Sequence, residues 1–199
     1  MSTSVTDRVT DHLRAALPGD PQRASVTFLG VEAIDVLRFT DAGRADVADV
    51  VFASVGCSRH PMADPTDLGA DPVRGPRAEI VVRMHAGDPL VDLHRSVALL
   101  AATPSVEGVV LLADALIDLG EPLWSGSACT AVVLSVDEIA DCPLDEPMSP
   151  VTFLRAIPIT ANEAAWVRLR GVDELRRAWE EADIDVADVR RVSATPGRA

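Results

Sequence analysis

Residues 151–182 constrain the fold more than any other part of this sequence. An apolar run of β type leads to Thr160, and Glu163 stands three residues later. That spacing is typical of a capping box, in which the threonine hydroxyl accepts one backbone N–H and the glutamate reaches back to another. Gly171 then suits a left-handed helix end, and a second apolar stripe of helical period follows it. The segment therefore predicts a strand that leads directly into two helices.

The rest of the chain favours one mixed domain. The apolar spacing before Pro18 predicts a helix, and the stretch from Ser25 to Val55 holds three runs typical of strands. Further strands are predicted over residues 78–84 and 129–136, and a helix is predicted after Pro89. Residues 109–119 fit either a strand with turns or a short helix. We predict an α/β (α+β) fold, a single domain with a mixed central β-sheet flanked by helices.

The length sets the expected domain bounds. A chain of 199 residues usually forms one domain, since domains run to about 100–200 residues. Its composition, 48% hydrophobic and 25% charged, is that of an ordinary globule. We expect one domain over residues 1–192 and a disordered tail over residues 193–199.

The composition also bears on location. No apolar run approaches a membrane span, and the N-terminal residues lack the basic start and apolar stretch of a signal peptide. The three cysteines, Cys57, Cys129 and Cys142, share no motif spacing. Reduced thiols are the simplest interpretation, so we expect a cytoplasmic protein.

The charge excludes several functions. A net charge of −13 argues against a nucleic-acid partner, because phosphates require a basic stripe, and it favours a basic protein partner. All 18 basic residues are arginine, so lysine chemistry such as a Schiff base is excluded. Tyrosine is absent as well, which removes a phenolic acid or base. No phosphate-binding loop or dinucleotide fingerprint occurs, and we expect no cofactor.

One cluster of residues suggests thiol chemistry. Cys57 lies near Arg59 and His60, and a nearby cation could lower a thiol pKa. A Cys-x-x-His pair often arises by chance, however, so we expect Cys57 to be a small apolar residue at a strand end. The alternative is an enzyme of undetected type centred on the loop that holds Cys57 and His60. Metal binding by these residues and Asp64 is not expected, because no second ligand pair completes a tetrahedral site.

Two loops form the predicted partner-binding surface. The first, residues 56–76, has four prolines and three glycines, and loops of that length inside a compact domain are usually either functional or mobile. The second, residues 137–146, has five carboxylates and no arginine, which suits a basic partner. The candidate contact residues are Arg59, His60, Asp64, Asp137, Glu138, Asp141, Asp145 and Glu146.

Several segments, taken in order, resemble the Suppressor of fused domain family. The first is a strand at residues 34–36, followed by the segment VFASVGCSRHPM, where Gly56, Ser58 and the Pro61-Met62 pair agree with the family pattern and Cys57 replaces a methionine. The second is the strand AEIVVRM at residues 78–84, and the third is the capping-box segment of residues 157–171. The resemblance covers about residues 30–182, and residues 104–120 depart most from it.

The resemblance implies an α/β domain without an established catalytic centre. Its animal member is similar to a cytoplasmic scaffold that binds a transcription factor, and its partner-binding residues find no matching positions here. Bacterial members look like stand-alone domains, some of them suggested to be immunity proteins that neutralise a toxin. We therefore expect a non-enzymatic, protein-binding domain.

Overall fold

The computed structural model describes residues 4–28, 30–41, 48–64, 66, 68–86 and 90–194. Within these residues the strands are β1 (Gln22–Phe28), β2 (Val31–Asp41), β3 (Ala48–Val55), β4 (Arg77–Ala86), β5 (Leu116–Asp118), β6 (Cys129–Val136) and β7 (Val151–Thr160). The helices are α1 (Val5–Ala16), α2 (Leu93–Glu107), α3 (Ala161–Arg170) and α4 (Val172–Glu181), with a 3-10 helix over Cys57–Arg59.

The strands form one mixed sheet in the order β1-β2-β3-β4-β7-β6-β5. Strands β1 to β4 make an antiparallel meander, β4 and β7 are parallel, and β7, β6 and β5 are antiparallel. The predicted fold class, an α/β domain with a mixed central sheet, is confirmed.

Helices cover both faces of this sheet, because its strands alternate apolar side chains between the faces. Even-numbered residues such as Ile80 and Val132 pack with α2 on one face. Odd-numbered residues such as Val81 and Phe153 pack with α1 on the other face, and Val133 packs there with α3 and α4. Strands β3, β4, β6 and β7 are thus buried on both sides, which explains their nearly continuous apolar sequence.

The C-terminal module has the predicted form. Thr160 caps α3 by accepting a hydrogen bond from the backbone N–H of Glu163, and the Glu163 carboxylate accepts the backbone N–H of Thr160 in return. Gly171 has φ of 87°, a conformation that favours glycine, and separates α3 from α4. The predicted capping box and helix boundary are confirmed.

The structure decides between the two interpretations of residues 109–119 and differs from the prediction at residues 193–194. Residues 109–119 contain a turn followed by the short strand β5, so the strand-with-turns interpretation is the correct one. Ser193 and Ala194 were predicted to begin a disordered tail, but Ala194 is 5% exposed and its backbone N–H donates to Glu163. A buried acceptor orders these two residues, while residues 195–199 lie outside the described part of the chain.

Candidate functional site

The two loops predicted to bind a partner lie at the same end of the sheet. Residues 56–76 connect the end of β3 to the start of β4, and residues 137–150 connect the end of β6 to the start of β7. Strands β4 and β7 run parallel and start side by side, with Arg77 opposite Val151. The loops also touch, because the Ser149 hydroxyl donates a hydrogen bond to the carbonyl of Arg74.

A buried carboxylate fixes the start of the first loop. Glu79, on β4, is 0% exposed. Its Oε1 accepts hydrogen bonds from the backbone N–H of Gly56 at 2.8 Å, and from the backbone N–H and hydroxyl of Ser58 at 3.0 and 2.6 Å. Its Oε2 accepts the Ser54 hydroxyl. Within the described residues no cation pairs with Glu79, so its carboxylate is held by hydrogen bonds from neutral donors alone.

Gly56 is required where the chain enters this loop. Its φ of 135° lies in the region that favours glycine, and a Cβ there would stand 3.3 Å from the Ala33 carbonyl oxygen and from the Ile34 side chain. The conformation aims the backbone N–H groups of Gly56 and Ser58 at one carboxylate oxygen.

Arg77, two residues before Glu79 on β4, holds other parts of the same loop. Its buried guanidinium donates to the carbonyls of Ser58 at 2.7 Å, Arg59 at 3.0 Å and Val73 at 3.4 Å. The Nε atom of Arg77 is buried without a partner among the described residues. The side chains of Arg77 and Glu79 thus anchor the loop from within the core.

Cys57 lines a pocket of about 220 Å³ together with Arg59 and His60. The residue is 7% exposed. Burial raises its pKa well above the ordinary value, and the nearby negative charge of Glu79 raises it further. A thiol nucleophile requires the opposite shift, so this arrangement favours the structural role over the catalytic one.

The other candidate residues of the first loop lie on its surface. Arg59 pairs with Glu32 at 2.9 Å and donates to the Ala33 carbonyl at 3.2 Å. The His60 ring is largely exposed, with its Nε2 3.8 Å from Glu32. Asp64 accepts the hydroxyl and backbone N–H of Thr66, and these hydrogen bonds lower the pKa of Asp64.

Asp137 begins the second loop and is buried, unlike a surface contact. Its carboxylate accepts two hydrogen bonds from Arg83, at 2.9 and 2.8 Å, and a third from the backbone N–H of Ile139 at 3.0 Å. The hydrogen bonds from Arg83 to Asp137 raise the pKa of the guanidinium. Asp137 is only 6% exposed, so it positions the loop from the protein interior and is not a surface contact.

The remaining carboxylates of the second loop face solvent. Glu138 pairs with Arg83 at 3.1 Å, and Asp145 pairs with Arg8 of α1. Asp141 and Glu146 are exposed and form no ion pair within the described residues. The structure therefore leaves Glu138, Asp141, Asp145 and Glu146 exposed and buries Asp137.

Sequence reasoning missed the residues that support the loops. Arg77, Glu79 and Arg83 lie on β4, and Glu32 lies on β2. One signal was available: a central, otherwise apolar strand that carries an arginine and a glutamate must satisfy both charges inside the protein. Their partners, however, come from loops that only the strand order brings near.

The described residues contain no group of three or more histidine, cysteine, aspartate or glutamate side chains that could hold a metal ion. All three cysteines are free and buried. None of the helices in the described ranges is long and apolar enough to cross a membrane.

The chain belongs to the Suppressor of fused family. The family model, described as Suppressor of fused protein (SUFU), matches residues 30–192. This confirms the resemblance inferred from the sequence motifs. A comparison with curated proteins gives no match.

Three solved structures show the same fold. A protein described as a Suppressor of fused homolog from Neisseria gonorrhoeae has 20% sequence identity and a TM-score of 0.68, with 98% of each chain covered. A chain from a Sufu–Fu complex has 14% identity and a TM-score of 0.63, covering 96% of this chain and 90% of that one. Drosophila Suppressor of fused has 14% identity and a TM-score of 0.61, covering 96% of this chain and 50% of that one.

Proposed function

We propose that this chain is a non-enzymatic, cytoplasmic domain that binds a basic protein partner through the two loops at one end of its sheet. We call this surface the loop face and define it as the described residues of 56–76 together with 137–150. The observation that carries the proposal is that both loops are anchored by buried charged residues and touch each other through Ser149 and Arg74.

Anchoring matters for affinity because a preordered loop loses less conformational entropy when it binds. Glu79 and Arg77 hold the first loop through six hydrogen bonds, and Asp137 holds the start of the second. Long loops would otherwise be costly to order. The loop face thus has the preorganised character of a recognition surface.

The shape of the loop face favours a macromolecule over a small ligand. Its pocket, at about 220 Å³, lies below the range of roughly 300–1,000 Å³ that is usual for small-molecule sites. The surrounding surface extends over two loops and carries exposed polar groups such as His60, Asp64 and Glu146. Charged groups of this kind set the rate and specificity of association. A structurally similar chain occurs in a Sufu–Fu complex, which is a protein complex.

The charge of the partner is proposed from the unpaired carboxylates. Asp141 and Glu146 pair with no cation among the described residues, while Glu138 and Asp145 each pair with one arginine and remain exposed. Together with the net charge of −13, they favour a basic surface on the partner.

The first test is charge reversal at Asp141, Asp145 and Glu146 in one variant. A control variant reverses Glu180, Glu181 and Asp183, which are exposed at the end of α4 and form no ion pair among the described residues. Both variants and the natural protein are used to capture partners from native lysate, with the product of the neighbouring gene included. The captured protein is then purified, and its association rate with each variant is measured.

We expect the loop-face variant to associate about tenfold more slowly at low salt, with the defect reduced at high salt, because salt screens the interaction. The control variant should lose much less. Equal rates for both variants would show that the loop face does not receive the partner.

We further propose that the partner is a toxin and that binding neutralises it. Expression of the captured partner alone should then stop growth, and coexpression with this chain should restore it. The loop-face variant should restore growth less well than the control variant. Normal growth with the partner alone would refute the immunity role but leave the binding role standing.

A further inference from the structure

A cavity lies at the opposite end of the sheet from the loop face. It has a volume of about 630 Å³ and is bounded by the first half of α2 and the connection between β5 and β6. We call it the α2 cleft; the lining residues used below are Asp92, Arg95, Leu99, Leu119, Glu121 and Trp124. Its size falls within the range that is usual for ligand pockets, roughly 300–1,000 Å³.

Hydrogen bonds between its two walls make the α2 cleft a preformed feature. The Ser96 hydroxyl on α2 donates to the Leu123 carbonyl at 2.7 Å, in a buried position. Ser125 is held twice: its backbone N–H donates to the Val91 carbonyl at 3.0 Å, and its hydroxyl donates to Asp92 at 3.1 Å. The two walls are therefore joined by hydrogen bonds at Ser96, which is buried, and at Ser125, which is exposed.

Asp92 adopts an unusual backbone conformation at the edge of the α2 cleft. Its φ of 72° is left-handed, although Asp92 is not glycine and its side chain does not cap α2. Strained residues of this kind persist when the surroundings over-determine them, and they cluster at functional sites. Here the conformation accompanies a carboxylate that lines the cleft and is fixed by Ser125.

The α2 cleft also carries unpaired charges of both signs. Arg95 on α2 and Glu121 on the facing connection are exposed, and neither side chain forms an ion pair or hydrogen bond within the described residues. Apolar surface lies between them, contributed by Leu99, Leu119 and the mostly buried Trp124. The cleft thus offers the Arg95 cation and the Asp92 carboxylate on the α2 wall, the Glu121 carboxylate on the facing wall, and apolar side chains as further lining.

We propose that the α2 cleft binds the C-terminus of a partner protein whose last residue is basic. The terminal carboxylate would receive the planar fork of the Arg95 guanidinium, which suits carboxylates. The basic side chain would lay its aliphatic stem on the apolar lining and place its cation at Glu121 and Asp92. Chain termini are recognised in other proteins by similar capture of the carboxylate. This site does not depend on the loop face.

The test uses a tetrapeptide of three alanines and a C-terminal arginine as the probe. Calorimetric titration measures its binding to the full chain, and the indole N–H signal of Trp124 in NMR spectra locates it. The comparison ligands are the same peptide with an amidated C-terminus, the peptide with leucine in place of arginine, and free L-arginine. Each ligand removes one feature of the proposed recognition.

We expect the free-acid peptide to bind about tenfold more tightly than the amide or the leucine peptide, since a hydrogen bond to a charged group contributes about that much. Binding should shift the Trp124 signal. Equal binding of acid and amide, or no binding at millimolar peptide, would overturn the proposal. Free L-arginine binding as tightly as the peptide would overturn the assignment to a chain terminus.

Two variants connect the preferences to residues. Arg95→Met should remove the preference for acid over amide, and Glu121→Gln should reduce the preference for arginine over leucine. Arg170→Met and Glu181→Gln serve as matched controls, since both residues are exposed on other helices and form no ion pair with the residues that the structure describes. A control that weakens binding as much as its cleft counterpart would contradict the assignment.

Discussion

Two fully buried carboxylates, Glu79 and Glu163, hold two peripheral segments of this protein in different ways. Both are 0% exposed. Among the described residues, Glu79 fixes the start of the loop at residues 56–76 through neutral donors alone. Glu163 fixes the C-terminal residues 191–194 with a cation as well, because Arg191 donates to both of its oxygens at 2.8 Å.

The surroundings of Glu163 are the more complete. Its carboxylate accepts the indole N–H of Trp179 at 3.0 Å and the backbone N–H groups of Thr160 and Ala194 at 2.9 Å. Burial would raise the pKa of Glu163, but the hydrogen bonds from Arg191 and these other donors outweigh it, so the pKa is lowered. The guanidinium of Arg191 also lies 5.7 Å from the Trp179 ring centre.

This difference indicates which segment loses more stability when one partner of its carboxylate is removed. A buried ion pair that loses one partner leaves an uncompensated charge in the core, whereas a buried anion with neutral donors loses only individual hydrogen bonds. The C-terminal segment should therefore respond more strongly to the loss of its cation than the loop does to the loss of one acceptor.

The largest effect is expected for Arg191→Met. This change leaves the Glu163 carboxylate buried without a cation, and the free energy of unfolding should fall by about 3–5 kcal/mol. Denaturant unfolding at neutral pH measures it. Adding Glu163→Gln to the same variant should recover much of the loss, since it removes the stranded charge. If the double variant is no more stable than the single one, the ion pair is not the cause.

A smaller effect is expected for Glu79→Gln. The amide keeps the shape of the side chain but has one acceptor oxygen, so the free energy of unfolding should fall by about 1–3 kcal/mol. Amide hydrogen exchange at Gly56 and Ser58 should accelerate, because their donors face Glu79. Glu32→Gln on the surface is the control. A loss as large as that of Arg191→Met would remove the proposed distinction between the two carboxylates.

Acid should weaken the stabilisation that Glu163 gives to the C-terminal segment. The pKa of Glu163 is lowered in the folded protein, so its stabilising contribution is present above the unfolded-state pKa and is lost as the pH falls through the folded value. The advantage of natural protein over Glu163→Gln should thus shrink below the ordinary value of 4.5. Unfolding at a series of pH values measures this. A constant difference down to pH 2 would contradict the lowered pKa.

The smallest effect concerns a contact at Asp185, in the turns that precede the C-terminal segment. His85 bonds to Asp49 at 2.6 Å and to Asp185 at 2.8 Å, with Arg155 also near Asp185. Hydrogen bonds from the His85 ring to the carboxylates of Asp49 and Asp185 raise the pKa of His85. Its stabilisation is therefore complete below the unfolded-state pKa, near 6.5, and is lost as the pH rises through the higher folded value.

The variant His85→Gln tests this contact. Because the site is partly exposed, we expect a deficit of less than about 1 kcal/mol at pH 5.5 and almost none at pH 9. A deficit that grows with pH would show that the ring acts in its neutral form.

The sequence by itself determined the features that depend on near neighbours. The capping box of Thr160 and Glu163, the break at Gly171 and the apolar runs of the central strands follow from spacing, and the structure has them as predicted. The family motifs belong to the same category, since they are short segments in a fixed order.

Only the tertiary structure decided what the buried charges hold. Glu163 was predicted as a cap, yet its carboxylate also binds Trp179, Arg191 and Ala194. The loop contacts of Glu79 do not follow from its place in an apolar strand. The meeting of the two loops and the walls of the α2 cleft likewise required the order of the strands. The physical reason is that caps and periodicity act within a few residues, whereas partners distant in sequence meet only once the sheet is assembled.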